Sequence, residues 1–116
     1  MGASKNYSYL IYTDINRAMN QYNKNRSNIG PNSRLNITDA NILSIIKSFS
    51  ESGTNFFMSN KELAEITISD ASTVQKSINK LIGLGLLQKE NYYEGNRPKR
   101  VLLYQSDAVK NFLAIY

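Results

Sequence analysis

Two glycines, Gly83 and Gly85, separate a helical pattern from a β pattern, and this change of period constrains the fold more than any other feature. Before them, Ala71, Val74, Ile78 and Leu81 recur at three- and four-residue spacing, with Ser72, Thr73, Gln75, Lys76, Asn79 and Lys80 on other faces. That spacing predicts an amphipathic helix capped by Ser69 or Asp70 and running to about Ile82. Gly85 suits a left-handed C-cap. After the glycines, Leu86–Tyr93 and Arg100–Tyr104 have the composition of two strands, with Glu94-Gly95-Asn96-Arg97 as the hairpin tip. Pro98 confines its position to a strand edge or entry, because it has no N–H to give a ladder.

Upstream, Ser59-Asn60-Lys61-Glu62 has the spacing of a capping box: the Ser hydroxyl accepts from the third backbone N–H and Glu62 reaches back. Leu63, Ala64 and Ile66 are the expected buried face of that short helix, and Thr67-Ile68-Ser69 the turn after it. Its neighbours Glu62 and Glu65 read as a solvated face, not a catalytic pair. Phe56-Phe57-Met58 fits a short bridging strand. Before it, Thr38 is expected to cap a helix with Asp39 in its first turn, Ile42, Leu43, Ile45, Ile46 and Phe49 buried, and Ser52-Gly53 at its end. Residues 28–36, with Gly30-Pro31 and clustered Asn and Ser, read as a loop. Residues 7–27 carry an apolar helical stripe of Tyr9, Tyr12, Ile15, Met19 and Tyr22. Ser106-Asp107 is expected to cap a last helix bearing Val109, Phe112, Leu113 and Ile115.

A chain of 116 residues accommodates one core. It has no Cys and no His, which removes thiolate and imidazole nucleophiles, Cys or His zinc sites and disulfides. Gly83-Leu84-Gly85 lacks the spacing of a phosphate-cradling loop and does not follow a strand. An enzyme, a cofactor and a metal site are therefore not expected. No apolar run suits a membrane span, and the cysteine-free composition fits the cytoplasm. The net charge is +5, unevenly placed: residues 1–36 carry +4, residues 37–70 carry −3, and residues 71–100 carry +4. A basic stretch of this kind is either a solvated surface or a polyanion-binding face.

The element order over residues 38–104 resembles winged helix-turn-helix DNA-binding domains. The likeness is carried by Asn60-Lys61-Glu62-Leu63-Ala64 for the first motif helix and Asp70 to Leu81 for the second. Leu84-Gly85-Leu86-Leu87 and the basic hairpin complete it. It extends to MarR-type regulators and to the N-terminal winged-helix modules of phage and plasmid replication proteins. The resemblance implies an α+β, mainly α fold: a winged helix-turn-helix with a two-stranded wing and extra helices at 7–27 and 106–116. It implies a sequence-specific binder of double-stranded DNA, in transcriptional control or in replication or maintenance of a mobile element. The alternative is a winged-helix module that docks a replication or partition protein.

The physical reading of the residues points to the same surface. Ser72, Thr73, Gln75 and Lys76 are the expected base-facing group, with Asn79 and Lys80 further along the helix on the phosphate backbone. Lys89, Asn96, Arg97, Lys99 and Arg100 are the expected wing contacts. The apolar terminal helices either complete the monomer core or form a homodimer, since a single module makes only a small interface. The dimer residues would be Tyr9, Tyr12, Ile15, Met19, Phe112, Leu113 and Tyr116. Of the adjacent Tyr92 and Tyr93, one is expected to face solvent, where it could stack on a base.

Overall fold

Side-chain caps fix where the helices of the motif begin. The order is α1 (Gly2–Asn25), α2 (Ile37–Glu51), α3 (Asn60–Thr67), α4 (Ala71–Gly83), β1 (Leu87–Glu94), β2 (Arg97–Tyr104) and α5 (Ser106–Ile115). The structure is a computed structural model that describes residues 2–25, 34–53, 56 and 58–116, with α1 side chains from Thr13 onward. The expected order of elements is the order found, a mainly α winged helix with a β-wing. Most of the expected 28–36 loop, and Phe57, lie outside the described residues.

Ser59 caps α3 with the expected box: its side chain accepts from Glu62 N, and Glu62 answers Ser59 N. Asp70 caps α4 by accepting from Thr73 N. At α2 the cap is Asn36, not Thr38; Asn36 and Asp39 form a second reciprocal box. Asn36 wins because it places Asp39 at the third helical position, where a carboxylate reaches back to the cap N–H. At α5 the first residue is Ser106 and Gln105 precedes it with no side-chain cap, so Ser106-Asp107 does not cap as expected.

Helix ends are equally local. At α4, Gly85 donates to Ile82 O and Leu86 to Leu81 O, the paired bonds of a Schellman ending, with Gly85 at φ +78°. At α3 the left-handed position is Ile68, φ 54°, almost wholly exposed. A β-branched residue there is strained, and its side chain gains no burial in return.

The core gathers Ile42, Leu43 and Ile46 of α2, Leu63 of α3, and Val74, Ile78 and Leu81 of α4 against Leu86, Leu87 and Leu102 at the base of the wing. Phe56 bridges Leu102, so its backbone adds a single antiparallel rung beside β2. The expected apolar faces need three corrections. Ile66, Ala71 and Ile115 are exposed, each at the margin of its helix stripe rather than over the core.

α1 packs on α2 and α5 on α1. Tyr22, Phe112 and Tyr116 stack among themselves, with centroids 5.8 Å apart for Tyr22–Phe112, 5.3 Å for Tyr22–Tyr116 and 4.9 Å for Phe112–Tyr116. Asn23 pairs with the backbone of Leu35 in both directions, at 2.7 and 2.9 Å, and so ties α1 to the entry of α2. Ile15, Met19 and Phe112, expected at a dimer interface, are buried within the protomer by this packing. Leu113 and Tyr116 are half-buried beside them, and the side chains of Tyr9 and Tyr12 lie outside the described residues.

Candidate nucleic-acid interface

The polar face of α4 is presented because its other face is fixed. Val74, Ser77, Ile78 and Leu81 are buried, while Ser72, Gln75, Lys76 and Asn79 are exposed and Thr73 is half-buried. Asp70 begins the helix with both kinds of donor on its carboxylate: Thr73 N at 2.8 Å and Ser72 Oγ at 2.8 Å. These bonds, the Thr73 backbone first, hold the Asp70 carboxyl below its usual range. Its charge therefore faces the helix N-terminus as a cap.

Lys80, expected at the phosphate backbone, is placed elsewhere. Its Nζ lies 2.7 Å from Asp39 Oδ2 and donates to Arg34 O at 2.8 Å. Asp39 has 0% side-chain exposure, so Lys80 is the countercharge of a buried carboxylate. A charge taken out of water requires such a partner.

The structure brings Gln75 and Arg100 together through a residue that the sequence reading did not single out. Asn60, the first residue of α3, donates from Nδ2 to Gln75 Oε1 at 2.7 Å. Arg100 donates to Asn60 Oδ1 at 2.5 Å and to Met58 O at 2.9 Å. Gln75 Nε2 then donates to Asn79 Oδ1 at 2.9 Å. Arg100 is half-buried, and burial pulls its guanidinium below the ordinary value. Expected among the wing's DNA contacts, it bonds inward and braces the wing against α3.

Strand alternation explains why neighbouring cations differ. Arg97 lies opposite Glu94, and Arg100 opposite Asn91. Arg97 and Lys99 therefore share one face of the wing, and Arg100 takes the other, toward α3. Lys99 is bound to Glu94 at 2.8 Å, with both side chains exposed. The Lys99 hydrogen bond and charge hold Glu94 below its usual range. Lys89, Asn96 and Arg97 are exposed. Among the described residues, Lys76, Lys89 and Arg97 form no ion pair.

Tyr92 and Tyr93 are both exposed, where one was expected to be covered. They lie on opposite faces of the two-stranded wing, in the stretch of β1 that is exposed beyond its root. Among the described residues, no group of His, Cys, Asp and Glu is placed to hold a metal ion, and no helix is long and apolar enough to cross a membrane.

Residues 33–87, just under half the chain, match the family described as a helix-turn-helix domain. The fold is similar to that of a solved protein described as a possible transcriptional regulator from Methanosarcina mazei Go1. That likeness has a TM-score of 0.51 and 23% identity, over 72% of this chain and 68% of that one. No curated protein sequence matches the chain. A capped α3, a tight turn, an α4 with a fixed back and a polar front, and a β-ribbon at its side satisfy the motif in order. The fold is that of a winged helix, and residues 33–87 are similar to the helix-turn-helix domain family.

Proposed function

We propose that the protein is a cytoplasmic, sequence-reading regulator of transcription. It sets the N-terminal half of α4 in the major groove of double-stranded DNA and the wing tip against phosphate or the adjacent minor groove. The observation that carries this reading is the division of α4: Gln75, Lys76 and Asn79 stand exposed over a back locked by Val74, Ile78 and Leu81. A groove-reading helix needs both, since base edges are distinguished only by donors and acceptors held at fixed positions. Gln75 offers an acceptor and a donor to adenine, and Lys76 a cation to guanine or phosphate. Thr73 offers a methyl and a hydroxyl. The unpaired cations Lys89 and Arg97, with Asn96, supply the wing contact.

The similar Methanosarcina mazei protein is described as a possible transcriptional regulator, which favours transcriptional control over a replication role. A homodimer through Ile15, Met19 and Phe112 is not part of this reading, because those side chains are buried within the protomer.

The test is selection from a randomised duplex, followed by mobility shifts of the winning site at rising salt. The expected result is one enriched sequence whose log affinity falls with log salt at about −0.9 per phosphate neutralised. Arg97→Ala should flatten that slope by about one contact, and Lys76→Ala should weaken binding. Weak binding to all sequences alike would overturn the reading and favour a protein-docking module.

A further inference from the structure

Gln75 does not stand alone on its helix face. Arg100, on the wing, has only donors to give. It spends two of them on Met58 O and Asn60 Oδ1. That fixes the Asn60 amide, whose Nδ2 must then face Gln75 Oε1. Gln75 is fixed in turn, with Nε2 toward Asn79 Oδ1. Reversing any one amide would set carbonyl against carbonyl or N–H against N–H. The four residues form a one-way series of donors and acceptors that begins at a group unable to accept.

We propose that Arg100 and Asn60 are positioning residues that set the orientation of the Gln75 amide, so that the wing fixes the base α4 prefers. This rests on the DNA-reading function proposed above. After its two internal bonds, Gln75 keeps one lone pair and one N–H on its exposed side. Those match the N6 donor and N7 acceptor of adenine. Asn79, with one lone pair of its Oδ1 occupied, keeps the other and both N–H donors, and those donors suit the acceptors of guanine or thymine. The series reaches across three elements, α3, α4 and β2, and each of its ends is held by folded structure.

The test uses the full chain and its Asn60→Asp, Arg100→Lys and Arg97→Ala variants in randomised-duplex selection. Asn60→Asp keeps an acceptor for Arg100 but offers Gln75 acceptors only, so the Gln75 amide must turn round. Arg100→Lys keeps the charge but lacks the planar fork that serves Met58 and Asn60 together. Both variants should lose roughly tenfold of the preference at one base pair, the scale of one bidentate contact, with other positions unchanged. Arg97→Ala should weaken all sequences alike. In the free proteins, the Gln75 side-chain amide signals should shift in both positioning variants and stay in place in Arg97→Ala. Those signals also decide for any variant that binds too weakly to select.

Unchanged base preference with unmoved Gln75 signals would overturn the proposal. So would a uniform affinity loss at constant preference, the mark of a merely structural role. A wild-type protein that enriches no sequence would instead remove the DNA reading, and this role with it, even if the amide signals move.

Discussion

The root and the tip of the wing carry the same residue types to opposite ends. At the root, Leu87, Val101 and Leu102 are buried and Arg100 bonds inward to α3. At the tip, Gly95 turns the chain at φ +66°, and Tyr92, Tyr93 and Arg97 project into solvent. α4 repeats the contrast along its length: Lys80 is tied to the buried Asp39, while Lys76 is exposed. A basic stretch is therefore two populations. Some cations are countercharges or braces of the fold, and the others are open to a polyanion. Net charge registers their sum, and only the partners of each separate them.

The largest effect should come from breaking the contrast on α4. Lys80→Ala strands the Asp39 carboxylate, whose Oδ1 has no hydrogen-bond partner among the described residues, and should destabilise the fold by about 3–5 kcal/mol in urea denaturation. Lys76→Ala should leave stability within about 0.5 kcal/mol in the same assay. If the two variants unfold alike, the division of cations is wrong.

Next comes the wing. Arg100→Ala leaves Asn60 Oδ1 and Met58 O without their donor and should cost about 1–3 kcal/mol of stability. Arg97→Ala should cost less than about 0.5 kcal/mol and act on DNA affinity instead. Equal thermal shifts for the pair would erase the distinction between root and tip.

The smallest effect concerns pH. Asp70 and Glu94 are held below their usual range by hydrogen bonds from Thr73 and Lys99 respectively. A carboxylate with a depressed folded pKa adds stability that is fully present above its unfolded value and lost as pH falls through the folded one. Melting temperature should be flat from neutral pH down to the ordinary carboxylate range, then decline. Asp70→Asn keeps a capping oxygen but does not titrate, so its decline should be shallower. An acid limb identical to wild type would show that the charge on Asp70 contributes nothing.

Local chemistry was legible in the sequence, and cross-chain chemistry was not. Ser59 with Glu62, Asp70, Gly85 and the Gly95 hairpin each act within a few residues, and the structure has them where spacing puts them. The cap at Asn36 was missed because Thr38 competes for the same role two residues on. Ile66 and Ile115 are apolar but sit on exposed margins, which periodicity over so short a helix does not resolve. Lys80 and Arg100 read as open cations in the sequence because their partners, Asp39 and Asn60, lie some forty residues away. One signal was available: strand alternation separates Arg100 from Arg97 and Lys99 before any contact is known.

The most direct test of the central claim is a backbone amide titration of the full chain with its selected duplex. The account predicts that 1H–15N signals move from Ser72 through Asn79 and from Glu94 through Arg97, while those of Val109 and Phe112 in α5 stay in place. Movement confined to α1 and α5, with α4 and the wing tip silent, would contradict it.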